Sequence, residues 1–508
     1  MKSANKVILN TVFLYSKMLI SMLLSLYTTR LVLNALGATD FGIFSLVGGV
    51  IVMFSFLNLS MSVSTHRYLS FHVDSKNENK LKDIFKTSVI LHLIIGLAIV
   101  IVLELSRVFL FDGFLNIPPD RIHIAIMVFH LMVISAFFTI NSVPYDALIN
   151  AHENMLFDSI LGVFESILKL GIAIWLIYYD NDRLLFYSFL IAVLTILIRL
   201  LKSAYCYRNY PECKVNLTKK INKRLFWDMT SFASWNMFGS LASMGRNQGI
   251  AIILNLFFGA IINTAFGIAN QVSNQLSSFS SMMLKAVVPQ IMKSEGNNDR
   301  TRMLRLSMIS SKFSFFLMAI FVIPCIFEMN EILTLWLKVV PEFTTIFCIL
   351  ILIATLINQF TIGLQSAFQA TGQIKVYQTL VGTLLLLNLP IAYMLLKFGH
   401  SPQTVLFSYI IIEVFACSLR LVLLKKITNL SIRLFIDRVI ICEIGPVVFS
   451  VLTCLLIVTY INMPYRFLIT GAVSAIIFSI SIYYTGLYKE EKEIIDELIK
   501  KTVSKIRF

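Results

Sequence analysis

Three basic residues lie within stretches that are otherwise apolar: Lys17, Lys169 and Arg246. A charge among apolar side chains is expensive unless something compensates it, so ionisable residues there are candidates for function. The chemistry that a cation offers at such a position is the binding of an anion. We therefore expect these three residues to bind the anionic part of a substrate. The alternative for Lys17 is that its side chain extends towards the nearer polar end of its helix.

The surroundings of Arg246 strengthen its candidacy. Its neighbours on the same stretch are small and polar: Ser240, Ser243, Asn247 and Gln248. An apolar solvent would penalise this polar stripe, whereas a water-filled cavity would accommodate it. The pattern favours a cavity over hydrogen bonding between packed helices.

Acidic residues near Lys169 suggest a second kind of chemistry. Asp158, Glu165 and Lys169 are separated by seven and then four positions, which places them on one face of a helix. Glu165 and Lys169 can pair within that helix. We expect Asp158 and Glu165 to bind a coupling proton or sodium ion, the alternative being a neutralised structural pair with Asp158 at the membrane surface. Glu104 and Glu413 are weaker candidates.

The elements that must position these residues are membrane-spanning helices. Of the 508 residues, 57% are hydrophobic and 14% are charged, whereas about 25% of residues are charged in soluble proteins. Apolar runs of about 20 residues recur along the chain, and each is long enough to cross the hydrocarbon as a helix. Runs such as VILHLIIGLAIVIVL (89–103) do not alternate as membrane strands do.

The hydropathy pattern predicts an all-α polytopic membrane protein with about fourteen transmembrane helices. The predicted spans are 7–28, 39–62, 85–106, 122–143, 155–178, 184–205, 229–256, 261–284, 306–327, 343–366, 376–397, 403–424, 440–460 and 465–486.

The distribution of Lys and Arg orients these spans. When residues near the end of a span are counted with the adjoining loop, 33 of the 43 basic residues fall on one side and seven on the other, and Lys17, Lys169 and Arg246 remain within spans. Because basic loops stay in the cytoplasm, both termini are predicted to be cytoplasmic. The basic face suits anionic membrane lipids, which accounts for the net charge of +15 without a nucleic-acid partner.

Two halves of the sequence resemble each other. Residues 33–43 match 254–268, and residues 147–148 and 168–173 match 367–368 and 387–392, with offsets of 219 to 225. A near-constant offset predicts two parallel six-helix repeats plus two C-terminal helices. The predicted parts are an N-terminal lobe (1–208), a cytoplasmic linker (209–228), a C-terminal lobe (229–428), two additional helices (429–487) and an amphipathic cytoplasmic tail (488–508). Lys17 and Arg246 would then come from opposite lobes of a central cleft.

Several motifs resemble one family of transporters. They are LYTTR (26–30), LGATDFGIF (36–44), RYLSF (67–71), PYDALINAHE (144–153), PQIMKS (289–294) and QATG (369–372). They are similar to the O-antigen and capsule flippases (Wzx-type) of the multidrug/oligosaccharidyl-lipid/polysaccharide exporter superfamily. The resemblance covers most of helices 1 to 11 and is weak over the last three.

The resemblance implies a fold of two six-helix bundles and a polyprenyl-pyrophosphate-linked oligosaccharide as cargo, moved to the periplasmic leaflet of the bacterial inner membrane by alternating access. Asn270 and Asn274 would hydrogen-bond sugar hydroxyls, unless they join helices, and Arg30 would guard the periplasmic exit or end a solvated helix. The expected partners are the lipid-linked substrate, membrane lipids, the coupling ion and polysaccharide-assembly proteins.

Other functions are disfavoured. The seven cysteines are an odd number and lie mostly in apolar stretches, so we expect neither disulfides nor a metal site, and no cofactor. A membrane polysaccharide polymerase or glycosyltransferase would need paired catalytic groups on a large outside loop, and the predicted outside loops are short. A multidrug or cation antiporter of the same superfamily remains the alternative, although the basic candidates argue against a cationic cargo.

Overall fold

The computed structural model describes residues 2–53, 55–73, 78–111, 117–215, 222–337 and 340–493, which are almost entirely helical and contain no strand. These residues divide into two compact units. One comprises Lys6–Met237, and the other comprises Phe238–Phe508 together with Met1–Asn5. The expected amphipathic tail falls largely on residues 494–508, which lie outside the described residues.

The first unit contains seven helices in its described part and the beginning of an eighth. They are α1 (Lys2–Met53), α2 (Ser55–His72), α3 (Glu78–Phe109), α4 (Ile122–Ile140), α5 (Val143–Ala151), α6 (Met155–Ile177) and α7 (Arg183–Asn209). Short 3-10 turns lie at Pro119–Arg121 and Pro211–Cys213. The boundary between the units falls within α8 (Lys223–Phe258), after Met237.

The second unit continues with α9 (Ala260–Gly296), α10 (Arg300–Phe327), α11 (Met329–Leu337), α12 (Thr344–Gln359), α13 (Ile362–Thr371), α14 (Ile374–Leu386), α15 (Asn388–Lys397), α16 (Gln403–Thr428), α17 (Ile432–Phe435), α18 (Ile441–Tyr460) and α19 (Arg466–Ser481). A π-helical turn, Ile436–Ile440, leads into α18, and a second, Ile482–Gly486, follows α19.

The expected count of fourteen membrane-spanning helices is not confirmed. In the part of the chain that the structure describes, ten helices are long and apolar enough to span a membrane, or eleven if the bent pair α12 and α13 forms one span. The expected spans 229–256 and 261–284 coincide with α8 and α9, which are 36 and 37 residues long. Both helices carry so many polar side chains that neither is as apolar as a typical membrane span. The expected span 39–62 includes residue 54, which lies outside the described residues.

The two units share a backbone feature at positions that the sequence repeat pairs. Gly37 breaks α1 with φ 77° and ψ 170°, and Gly259 separates α8 from α9 with φ 76° and ψ −166°. This region of backbone space is accessible essentially to glycine alone. The order of elements after each break is also similar, since a long helix is followed by a broken pair (α4 with α5, α12 with α13) in each unit.

Polar contacts fix the segment around Gly37. Arg183 donates to the carbonyl oxygen of Ala35 at 3.1 Å, two residues before the break. After the break, Asp40 accepts hydrogen bonds from Arg121, which also donates to Asp182 at 2.6 Å. Three segments of the first unit are thereby joined at one end of the bundle.

The last two helices pack against α10 in the second unit. Phe316 of α10 contacts Phe478 of α19 edge to face. At the end of α10, Glu328 accepts hydrogen bonds from Arg466 at 2.9 and 3.0 Å and from Thr470 at 2.7 Å. Burial of Glu328 disfavours its charged form, but these donors outweigh burial and hold its pKa below the ordinary value.

Candidate functional site

Close glycine contacts position Arg246 on α8. A Cβ atom on Gly249 would lie 2.5 Å from a methyl group of Leu389, and one on Gly239 would lie 1.8 Å from Gln378. Small residues let helix backbones approach closely, so this face of α8 lies tightly against α14 and α15. Arg246 points instead towards α16, with only 5% of its surface exposed.

Arg246 is held by two side chains of α16. Its guanidinium donates to Oε2 of Glu413 at 3.0 Å and to the hydroxyl oxygen of Tyr409 at 2.6 Å. The guanidinium carbon also lies 3.9 Å from the centre of the Tyr409 ring, a distance typical of a cation–π contact. The hydroxyl of Tyr409 in turn donates to Asn247 at 3.3 Å.

A second guanidinium shares the same carboxylate. Arg420 of α16 lies 3.4 Å from Oε1 of Glu413 and donates to Thr361 at 3.0 Å, and Asn358 of α12 donates to Oε1 at 2.5 Å. We call these residues the arginine cluster: Arg246, Asn358, Thr361, Tyr409, Glu413 and Arg420. Two cations and one anion give it a formal charge of +1. Both charged partners of Glu413 are almost fully buried, as Glu413 is itself.

Part of this cluster escaped the sequence analysis. Glu413 counted only as a weaker candidate, and Arg420, near the predicted end of its span at 424, was counted with the basic residues of the cytoplasmic loop that follows. In the structure α16 extends to Thr428 and Arg420 is 3% exposed. The signal that could have joined them is their separation of seven residues, which puts both on one helical face.

In the first unit, Lys17 lies against α6. Its ammonium group is 3.0 Å from Oδ2 of Asp158. A Cβ atom on Gly162 would lie 2.2 Å from Cε of Lys17, so the lysine stem crosses α6 at this glycine. One turn further along both helices, Ser166 donates to Ser21 at 2.9 Å. Lys17 is therefore ion-paired inside its unit.

The remaining charged candidates of the first unit are separate from this pair. Lys169 lies 2.6 Å from Glu165, which is the intrahelical pair expected from their spacing. A further ion pair joins Lys202 of α7 to Asp146 of α5 at 2.7 Å. The side chain of Arg30 is exposed on α1, seven residues before the break at Gly37.

The two candidate amides on α9 differ in their surroundings. Asn270 is half-buried and donates to the carbonyl oxygen of Phe266 in its own helix at 2.9 Å, whereas Asn274 is exposed. Other polar side chains of α9 join it to α12, since Ser273 bonds Thr355 at 2.8 Å and Ser280 bonds Gln359 at 2.5 Å. Some polar residues of α9 therefore join helices, which is one of the two uses that the sequence left open, whereas Asn274 is exposed.

A comparison with protein families identifies the chain. The profile of the polysaccharide biosynthesis protein family matches residues 4–295, more than half of its length. The chain belongs to the polysaccharide biosynthesis protein family. A comparison with curated protein sequences gives no match.

Solved structures show the fold that this polysaccharide biosynthesis family member adopts. A MATE protein in complex with MaD3S has a TM-score of 0.73 at 12% identity, over 84% of this chain and 96% of its own. An outward-facing multidrug resistance MATE family transporter of the MOP superfamily has a TM-score of 0.71 at 13% identity, over 83% and 95%. A MOP superfamily transporter from Pyrococcus furiosus, described by a binding pocket of reverse polarity, gives 0.65 at 13%, over 83% and 95%.

Family and fold together define the class of protein. The chain is a multi-pass membrane protein of the polysaccharide biosynthesis family, and its fold is the one seen in MOP superfamily transporters. The resemblance of its motifs to that superfamily is confirmed. At such low sequence identities the structural likeness describes the fold, and the cargo has to be argued from the residues.

Proposed function

We propose that this protein is a flippase, which moves a polyprenyl-pyrophosphate-linked oligosaccharide from the cytoplasmic to the periplasmic leaflet of the bacterial inner membrane by alternating access. The family, whose members serve polysaccharide biosynthesis, supports an oligosaccharide as cargo. The observation that carries the proposal is the arginine cluster, because its two buried guanidinium groups share a single carboxylate.

The charge of the cluster favours an anionic cargo. A net positive charge among membrane-spanning helices is expensive unless an anion compensates it. The guanidinium group is planar and presents paired N–H donors that match the oxygen atoms of a phosphate. We therefore propose that a phosphate of the cargo takes over, at Arg246, hydrogen bonds that Glu413 accepts in the unloaded protein. Arg420 and Asn358 remain as donors to Glu413, so its carboxylate stays compensated during the exchange.

Exposed amides are suited to the sugar part. Asn274 and Gln271 project from the exposed side of α9, and Gln248 projects from α8 two residues after Arg246. Amide groups both donate and accept hydrogen bonds, as do sugar hydroxyls. We propose that Asn270, Lys169 and Arg30 also contact the cargo.

An ion gradient is proposed to drive the return step. In the first unit Lys17 and Asp158 form a partly buried pair, and protonation of Asp158 would free Lys17 for a phosphate of the cargo. Glu165 is the second proposed ion-coupling residue, paired with Lys169. Transport that is indifferent to proton and sodium gradients in sealed vesicles would remove both carboxylates from this role.

Replacement of Arg246 tests the proposal. In Arg246→Ala cells we expect at least a tenfold loss of surface polysaccharide at normal protein level, because a hydrogen bond to a charged group contributes about 1.5–3 kcal/mol. Arg246→Lys should retain part of the activity, since it keeps the charge but not the paired donors. The matched control is Arg300→Ala, which breaks a half-exposed ion pair with Glu295 at the start of α10. Undiminished polysaccharide with Arg246→Ala would overturn the role of the cluster.

Export of drugs is the second candidate function, favoured by the structural likeness to a multidrug resistance transporter. A multidrug or cation antiporter would need a pocket that accepts cations, and the +1 charge of the arginine cluster opposes this. The same Arg246→Ala cells distinguish the two functions. A drug exporter would change the resistance of the cells to cationic drugs while leaving their polysaccharide intact, which is the opposite of the result that we expect.

A further inference from the structure

The two helices that follow the second bundle contain a buried carboxyl group without a hydrogen-bond partner. Glu443 lies in the first turn of α18 and is 2% exposed. Both of its carboxyl oxygens are buried, and neither has a hydrogen-bond partner among the described residues. A buried carboxylate that is ionised and unpaired costs far more than a neutral carboxylic acid in the same place. Glu443 is therefore uncharged in this arrangement, or a cation must come to it.

One buried cation acts on this carboxyl group. Lys312 of α10 interacts electrostatically with Glu443 and is itself 1% exposed. In this arrangement, however, Lys312 bonds a different carboxylate, that of Glu491, at 2.5 Å. One buried lysine therefore acts on two carboxyl groups and pairs with the one that belongs to the segment after α19.

That segment is docked through several contacts in addition to Lys312. Tyr488 donates its hydroxyl to the carbonyl oxygen of Asp437 at 3.0 Å, and its ring lies 5.2 Å from the guanidinium of Arg438. Arg305 of α10 bonds Glu490 at 2.5 Å. Arg305 and Glu490 are thus paired with each other, and Arg438 lies against the ring of Tyr488. The side chains that α19 buries here, Ser474, Phe478 and Ser481, carry no charge.

Close packing keeps bulk water away from Glu443, while a small cavity approaches Lys312. A Cβ atom on Gly445 would lie 2.5 Å from Thr485, and one on Gly486 would lie 2.9 Å from Phe316, so α10, α18 and the second π-helical turn are in direct contact. Beside Lys312 and Glu491 lies a cavity of about 20 Å³. It can hold a single water molecule, which needs about 10–15 Å³ measured in this way.

The local backbone is also of a kind that recurs at functional sites. The π-helical turns Ile436–Ile440 and Ile482–Gly486 both border this region, one before α18 and one after α19. Such turns are rare and are found often at functional positions. The two turns bracket the helices α18 and α19, and Glu443 lies in the first turn of α18.

We propose that Glu443 is a proton-binding site whose occupancy decides which carboxyl group Lys312 pairs with. When Glu443 holds a proton, Lys312 stays with Glu491 and the segment after α19 is docked. When the proton is released to solvent, the carboxylate draws Lys312 away from Glu491, and the segment loses a central contact. The ligand is a proton rather than a sodium ion, because the ammonium group of Lys312 repels a metal cation and the described residues around Glu443 offer no set of metal ligands.

The experiment uses the full-length protein in lipid nanodiscs and needs no substrate. Infrared spectra should show the carbonyl band of a protonated acid at neutral pH, and this band should be missing in Glu443→Gln. Hydrogen exchange of residues 487–492 is then measured as the pH rises, with wild type and Glu443→Gln compared at each pH so that the intrinsic pH dependence cancels. We expect the wild type to lose at least tenfold protection relative to Glu443→Gln, in which Lys312 stays with Glu491.

Two further variants keep the result interpretable. Lys312→Gln should be poorly protected at every pH, because it lacks the cation that docks the segment. Glu490→Gln is the matched control, which removes the pair with Arg305 but leaves both carboxyl partners of Lys312, so its exchange should keep the pH dependence of the wild type. The proposal is overturned if no acid band is assigned to Glu443 at any pH. It is also overturned if the exchange protection of residues 487–492 changes equally with pH in wild type and Glu443→Gln.

Discussion

At the level of single residues, the arginine cluster depends on which donors each carboxylate oxygen of Glu413 accepts hydrogen bonds from. Oε2 accepts from Arg246, and Oε1 faces both Arg420 and Asn358. Removal of one member of a buried ion pair is costly when it leaves the other charge uncompensated. The three charged residues are therefore not equivalent, because Glu413 compensates two cations while each arginine shares one anion.

This asymmetry predicts unequal effects on stability. Glu413→Gln leaves two buried guanidinium groups without a counter-charge, and we expect a loss of about 3–5 kcal/mol. Arg420→Met leaves Glu413 paired with Arg246 and removes the excess charge, so its loss should be clearly smaller. Thermal unfolding of the purified variants in the same detergent measures both. Equal destabilisation by the two substitutions would show that the cluster is held together by packing rather than by charge balance.

The sequence predicted some of these residues because local spacing reports on a single helix. Arg246 stood out as a charge in an apolar stretch, and the Glu165 and Lys169 pair follows from a separation of four residues. The contacts from Arg246 to Glu413 and from Lys17 to Asp158 join residues more than 140 positions apart, which no local pattern specifies. Glu443 was missed for a related reason, since its lack of a partner is a property of the surrounding helices.

At the level of elements, the paired breaks at Gly37 and Gly259 define where two long helical stretches change direction. Nothing lies within 4 Å of a Cβ atom built on either glycine, so space around the side chain is not the reason for glycine. The reason is the backbone, whose positive φ and extended ψ are strained for every other residue. The repeat in the sequence thus marks a conformation that both units need.

Alanine at these breaks should destabilise each unit through the backbone alone. For Gly37→Ala and Gly259→Ala we expect losses of about 1–3 kcal/mol each. The matched controls are Gly42→Ala and Gly267→Ala, nearby helical glycines that also have free space around them, where alanine should be neutral or stabilising by up to about 1 kcal/mol. Thermal stability of the four variants, measured side by side, gives the comparison. If the break variants match their controls, the two breaks do not require glycine.

At the level of the whole molecule, the helical fold and its membrane class could be predicted from composition, whereas the exact number of spans stays a prediction. The expected spans 229–256 and 261–284 coincide with α8 and α9, but these two helices are more polar than the ten that are apolar enough to cross a membrane. Their polarity comes from the residues that we propose line the route of the cargo. Orientation rests on different physics, the retention of basic loops in the cytoplasm. It is therefore an independent prediction that can be tested on the intact protein.

Single cysteines introduced into exposed turns test this orientation. Asn181 lies between α6 and α7 and Ser401 between α15 and α16, in turns predicted to be periplasmic, whereas Asn297 lies between α9 and α10, in a basic segment predicted to be cytoplasmic. A membrane-impermeant maleimide added to intact spheroplasts should label Asn181→Cys and Ser401→Cys at once, and Asn297→Cys only after the membrane is opened. The unmodified protein is the control, and its labelling should be low because six of its seven cysteines are buried. The opposite labelling pattern would show that the protein has the inverted orientation in the membrane. The proposed flippase would then deliver its cargo in the opposite direction.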